Sequence, residues 1–123
     1  NNLSEYEELP VQMALEEGRL VAGRLMSSDV FETAGVSFVR AEPGSDYGWH
    51  NARERMLVIT LFGRLKVSTS GDDDDRCLSA GDVVLVDEKP EGEGHRSVVV
   101  SEEPWSAVFI RVTDQTLRSL TGA

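Results

Sequence analysis

The run Met56-Leu57-Val58-Ile59-Thr60-Leu61-Phe62 is apolar at every position except Thr60 and stops at Gly63. Side chains alternate between the two sides of an extended chain, so Met56, Val58, Thr60 and Phe62 share one face and Leu57, Ile59 and Leu61 take the other. Both faces are therefore apolar and both need cover. A membrane span takes roughly 20 apolar residues, so this run is a buried strand instead. Central strands of a sandwich or small barrel are built in this way, one face lining the interior and the other covered from outside.

Further β-like runs follow the same reading at 36–40, 64–68, 82–86, 96–100 and 107–112. Turn residues separate them: Pro43-Gly44-Ser45-Asp46, Gly63, Gly71 with the four Asp after it, Ala80-Gly81-Asp82, and the Gly/Glu-rich stretch 90–94. Short strands with regular turn signals are an all-β pattern and not a βαβ alternation. The Asp run lacks the spaced ligands, mid-loop Gly and distal Glu of a calcium loop and reads as a solvated hairpin tip.

Before these runs, residues 1–30 mix Glu with apolar residues and are read as an N-terminal arm, with 13–17 as a short helical turn. Residues 31–113 form the β-rich barrel, and 114–123, with Leu117 and Leu120 at helical spacing, form a tail or short helix.

A chain of 123 residues, 40% of them hydrophobic, builds one ordinary core and one domain. Its 12 Lys and Arg face 22 Asp and Glu, a net charge of −10 that repels phosphate backbones and anionic lipid. Nucleic-acid and membrane partners are therefore not expected of this acidic protein. Residues 1–8 have neither the basic nor the apolar region of a secretory signal. Cys77 is the only cysteine, so a reducing, cytoplasmic location is expected, with Cys77 as a filler and not a nucleophile.

Several of these positions together resemble the cupin superfamily. Its first motif reads Gly, five residues, His-x-His, three or four residues, Glu, six residues, Gly; Gly44, His50, Ala52, Met56 and Gly63 fall at those intervals. The second motif opens at Gly81-Asp82-Val83-Val84-Leu85-Val86 and closes at His95 after a loop longer than usual, with Asp87 where the family has Pro. Residues 77–84 are similar to the common turn into that motif, and the resemblance spans 36–112. It implies an all-β, small cupin-type β-barrel, a jelly roll, carrying an N-terminal arm and a ligand pocket at its mouth.

Metal-binding cupins supply three His and one Glu at the motif positions. Carried over residue by residue, only His50 and His95 remain, since Ala52 has no donor and Met56 is a soft, weak ligand. On a regular strand Glu54 would share the parity of His50 and complete a two-His, one-carboxylate set; its neighbours Arg53 and Arg55 instead suggest a rim charge cluster.

Without a cofactor, two imidazoles with ordinary pKa values near 6.5 are a general acid and a general base. The expected walls are Met56, Val58, Phe62 and Phe38, with Tyr47 and Trp49 at the rim and Thr60 and Ser97 as polar contacts. Arg53, Arg55 and Arg96 are candidate anchors for an acidic group; parity alone leaves Arg40 and Arg111 on either side.

The leading expectation is metal-independent acid/base chemistry of isomerase, cyclase or lyase type on a small, partly apolar or aromatic substrate. Two alternatives stay open: a metal-dependent oxygenase or isomerase using His50, His95 and Glu54, and a non-catalytic small-molecule-binding or sensing cupin. Exposed sheet edges and the apolar N-terminal arm, together with the resemblance, point to a strand-exchanging homodimer.

Overall fold

The computed structural model describes residues 8–16, 23, 25–50, 54–69, 74–87 and 94–122. Its barrel consists of β3 (Thr33–Ala41), β4 (Asp46–His50), β5 (Met56–Phe62), β6 (Leu65–Thr69), β7 (Arg76–Leu78), β8 (Val83–Val86), β9 (His95–Val99) and β10 (Trp105–Val112). Two antiparallel sheets face each other, one ordered β3-β10-β5-β8 and the other β4-β9-β6-β7. This is a jelly roll.

Alternation along the strands explains the core. In β10, Trp105 and Ala107 are buried and pack with Ala41 and Val58 from their own sheet and Leu65 and Val99 from the other. Thr60 is fully buried, and its hydroxyl accepts a hydrogen bond from the Trp105 indole N–H at 3.2 Å. That bond lets a hydroxyl and an indole sit in an apolar interior without an unpaired polar group.

The turns hold the sheets together at the base. Gly44 donates its N–H to Val99 and Ser45 accepts from Val99, docking the β3–β4 turn onto β9. Gly63 has φ +77, and a Cβ built there would lie 2.4 Å from the Pro104 carbonyl, so this corner closes only around a glycine.

The structure departs from the sequence reading at several places. Residues Ala14–Glu16 form a strand, β1, paired with β2 (Leu25–Ser27) in a separate two-stranded sheet, where a helical turn was expected. Cross-strand pairing here outweighs the helix preference of Ala, Leu and Glu. Strands β4 and β7 were not anticipated from pattern.

The C-terminal stretch is a helix, α1 (Asp114–Thr121), whose first turn is capped by the Thr113 side chain accepting from the Thr116 N–H and whose end turns at Gly122. Among the described residues no helix is long and apolar enough to cross a membrane.

The covered second face of β5 is only half realised. Leu57 and Ile59 are half-buried, and they continue two outer rows, Val36, Ile110, Leu57, Leu85 and Phe38, Val108, Ile59, Val83. Phe38 is 80% exposed on this face.

Candidate functional site

One end of the barrel gathers the motif residues. Strand β4 finishes there at His50, β5 starts at Met56, β8 finishes at Val86 and β9 starts at His95. His50 and His95 are Cα register partners across β4 and β9. Directly opposite positions share a sheet face and bring their Cβ atoms to about 4.5–5.5 Å. The face is the inner one, because Ser97 and Val99, which alternate with His95, are buried. His95 itself is half-buried; the side chain of His50 lies outside the described residues.

Around the pair, Thr69 of β6 is the next partner of His95, and the row beneath runs Tyr47, Ser97, Val67 and Arg76. On the facing sheet the row at the same end is Gly35, Arg111, Met56 and Val86, with Ser37, Phe109, Val58 and Val84 below it. The mouth is thus polar on the sheet carrying the histidines and mixed on the other, over a floor of Val58, Val67 and Phe109 that belongs to the core.

Three site residues sit as alternation expects but in different roles. Met56 lines the upper row. Val58 is floor. Thr60 is turned inward but spends its hydroxyl on Trp105 deep in the core, so it is a structural contact and not a pocket one. Tyr47 and Trp49 are exposed along β4, which shifts register between Tyr47 and His50. That irregularity is a bulge: three steps along β4 from Tyr47 to His50 match two along β9 from Ser97 to His95.

Other assignments are corrected. Phe62 is 67% exposed and is no pocket wall. The register shift between Ser106 and Ala107 pairs Phe62 with outward-facing Ser106, at the far end of β5 from Met56. Phe38 lies on the outer face, as does Arg40, which pairs with Glu42. Arg96 is also outward and bonds Asp46, with Nε at 3.1 Å from a carboxylate oxygen. This bond and the charges of Arg96 and Lys66 lower the Asp46 pKa from its ordinary value despite some desolvation, and the same bond raises that of Arg96. Arg53 and Ala52 lie outside the described residues.

Glu54 does not continue β4. It sits in a bend before β5, and its carboxylate pairs with the Arg111 guanidinium. Arg55 is likewise engaged, to Asp87 at 3.1 Å and to Asp114 at 2.8 Å, while its carbonyl accepts from the Val112 N–H. The corner 54–55 is therefore pinned to β10, to the end of β8 and to α1.

Of the four motif positions two are His, one is Ala and one is a thioether, a poor donor set for a resident metal, and among the described residues the Glu54 carboxylate is held by Arg111. Among the described residues no group of three or more His, Cys, Asp or Glu side chains stands close enough to hold an ion.

Of Arg40 and Arg111, which parity alone leaves on either side, Arg40 is outward and Arg111 joins the inward series. Its signal was available in retrospect: stepping by twos from Trp105 through Ala107 and Phe109, whose rings and methyl face the core, reaches Arg111 on the same side.

Paired antiparallel sheets in jelly-roll order, with one histidine from each motif meeting at the mouth, define the cupin fold. The chain has that fold. It is similar to a cupin-2 conserved barrel domain protein from Salinispora arenicola CNS-205, at 20% identity over 98% of this chain and 89% of that one, with a TM-score of 0.51. A protein of unknown function from Rhizobium leguminosarum bv. viciae 3841 matches at 24% identity over 63% of this chain and 69% of that one, TM-score 0.50. A cupin-2 domain containing protein from Shewanella frigidimarina NCIMB 400 matches at 22% identity over 63% and 69%, TM-score 0.46. No protein-family model matches the chain, and no curated protein sequence matches it. At 20% identity and a TM-score of 0.51, the Salinispora likeness supports the fold alone and leaves activity to the site.

Proposed function

We propose that this cupin binds a small, partly apolar or aromatic molecule at the barrel mouth and moves a proton on it through His50 and His95, without a metal. The observation that carries the reading is the Cα register pairing of His50 with His95, the latter alternating with buried Ser97 and Val99. Neighbouring imidazoles serve as one base and one acid at neutral pH. Next to a carbonyl, the base removes an α-proton while the acid protonates the carbonyl oxygen, and the enol formed returns to the ketone by the reverse transfers. Isomerisation, cyclisation and elimination are the reaction types built on that step.

The test needs no knowledge of the natural substrate. Exchange of the α-hydrogens of acetophenone and cyclohexanone in D2O, followed by proton NMR, reports the transfer directly. The wild-type chain is expected to accelerate exchange over buffer, and His50→Ala or His95→Ala to lose about a hundredfold or more of that acceleration. Elemental analysis of protein purified without a metal-affinity tag runs alongside. Near-stoichiometric iron, manganese, nickel or zinc that disappears in the double variant overturns the metal-free reading. Probes that bind without any exchange turn the assignment to a carrier or sensor.

Two copies are proposed to associate through the outer face of the β3-β10-β5-β8 sheet. Its rows from Val36 to Leu85 and from Phe38 to Val83 carry no charged residue, in a chain whose net charge is −10. It is the surface on which identical chains meet without opposing like charges. Sedimentation velocity checks this: a wild-type dimer that becomes monomeric with Phe38→Asp supports it, and a monomeric wild type removes it.

A further inference from the structure

We infer that the pocket takes a carboxylate-bearing ligand, that Arg111 is the group that receives the carboxylate, and that Glu54 occupies Arg111 until the ligand replaces it. The inference rests on the small-molecule pocket proposed above and adds the ligand's charge and the residue that reads it.

Arg111 stands in the row at the mouth, opposite Met56 on one side and Gly35 on the other. At residue 35 there is no side chain to fill the inner face, and a Cβ built there would be 3.6 Å from the Arg111 guanidinium. The guanidinium thus extends over β3, within van der Waals reach of position 35. It remains half-exposed although it belongs to the inward series begun by Trp105 and Ala107. An arginine needed only for the outer surface would fall on the alternate positions, with Val108 and Ile110.

Its partner is placed like a ligand. Glu54 belongs to a bend, not to a strand, and its backbone neighbour Arg55 is fixed by the Val112 N–H and by Asp87 and Asp114. The pinned corner presents one carboxylate to one guanidinium at the same end of the barrel as the histidine pair. A guanidinium favours planar, two-point recognition of carboxylates, so a ligand carboxylate and that of Glu54 compete for the same donors. Half-exposed ion pairs are weak, so exchange of one carboxylate for another is easily driven by a ligand whose apolar part is buried at the same time. In a chain of net charge −10, Arg111 supplies the local attraction that an acidic ligand requires.

The experiment uses matched probes, benzoate with benzamide and phenylacetate with phenylacetamide, titrated by NMR into wild-type protein, Glu54→Gln and Arg111→Gln. Glu54→Gln is expected to tighten both carboxylates by about three- to fivefold and to leave the amides unchanged. Arg111→Gln, made alone or with Glu54→Gln, is expected to erase the difference between each carboxylate and its amide. The carboxylate advantage should also shrink as salt is raised. A gain of binding is not a result that a poorly folded variant can give. Amides that bind while Glu54→Gln brings carboxylates no advantage overturn this inference and leave the pocket standing. Failure of every probe to bind any of the proteins overturns both.

Discussion

His50 and His95 are Cα register partners on adjacent antiparallel strands, although the described residues between them build four further strands. Each motif contributes one histidine, and the β4–β9 pairing turns two distant sequence positions into a neighbouring pair. Groups that act as a unit lose their effect together. The double variant His50→Ala/His95→Ala is therefore expected to have no lower α-hydrogen exchange rate than either single variant. A double variant slower than both by the product of their separate losses would show that the two act independently.

The two motif glycines Gly44 and Gly63 have nearly the same backbone conformation, φ +81 and +77, but different surroundings. Nothing lies within 4 Å of a Cβ built at residue 44, so Gly44→Ala carries only the left-handed backbone cost, about 1–2 kcal/mol. At residue 63 the same methyl meets the Pro104 carbonyl at 2.4 Å and the Trp105 Cα at 2.8 Å, both backbone. Gly63→Ala is expected to lose clearly more than Gly44→Ala in urea denaturation, since the β5–β6 corner must move off β10. Equal losses would mean that conformation alone selects both glycines.

Thr60 and Trp105 share the one hydrogen bond that an otherwise apolar stretch of core supplies to the indole. Thr60→Val keeps the shape but removes the acceptor, leaving a buried N–H unpaired at a cost of about 1–3 kcal/mol. Trp105→Phe removes the N–H too but also deletes buried ring surface. The pair is best checked as a double-mutant cycle by denaturation: Thr60→Val should cost markedly less in the Trp105→Phe background.

Much of this architecture could be read from the sequence because alternation and turn chemistry are local. The central run 56–62, the glycine corners and the spacing of His50 and His95 required no distant information. Strand β7, Arg76–Leu78, is too short to show a period, and β4 contains Gly48 and a bulge, which breaks the alternation that would reveal it. Counting twos places Phe62 inward, and the register shift opposite Ser106 and Ala107 turns it out. Parity places Glu54 on a regular strand, and the chain bends there instead. Its partner Arg111 is 57 residues away, and only the fold brings them together.

The outward pair of Asp46 and Arg96 gives the barrel a defined acid response. The bond from Arg96 holds the Asp46 carboxyl below its ordinary value, so the folded chain binds fewer protons at this site than the unfolded chain as pH falls. A depressed carboxylate contributes stability that is fully present above the unfolded value, about 3.9, and is lost as pH falls through the lower folded value. Asp46→Asn has no such dependence. Thermal melts of wild type and Asp46→Asn should therefore differ most between about pH 5 and 7 and converge only as pH falls below the lowered folded value. High salt should narrow the gap at neutral pH, because the pair is solvent-accessible and screened. A gap that is constant from neutral to acid pH would assign the effect of the substitution to packing of β4 against β9, with no contribution from the charge of Asp46.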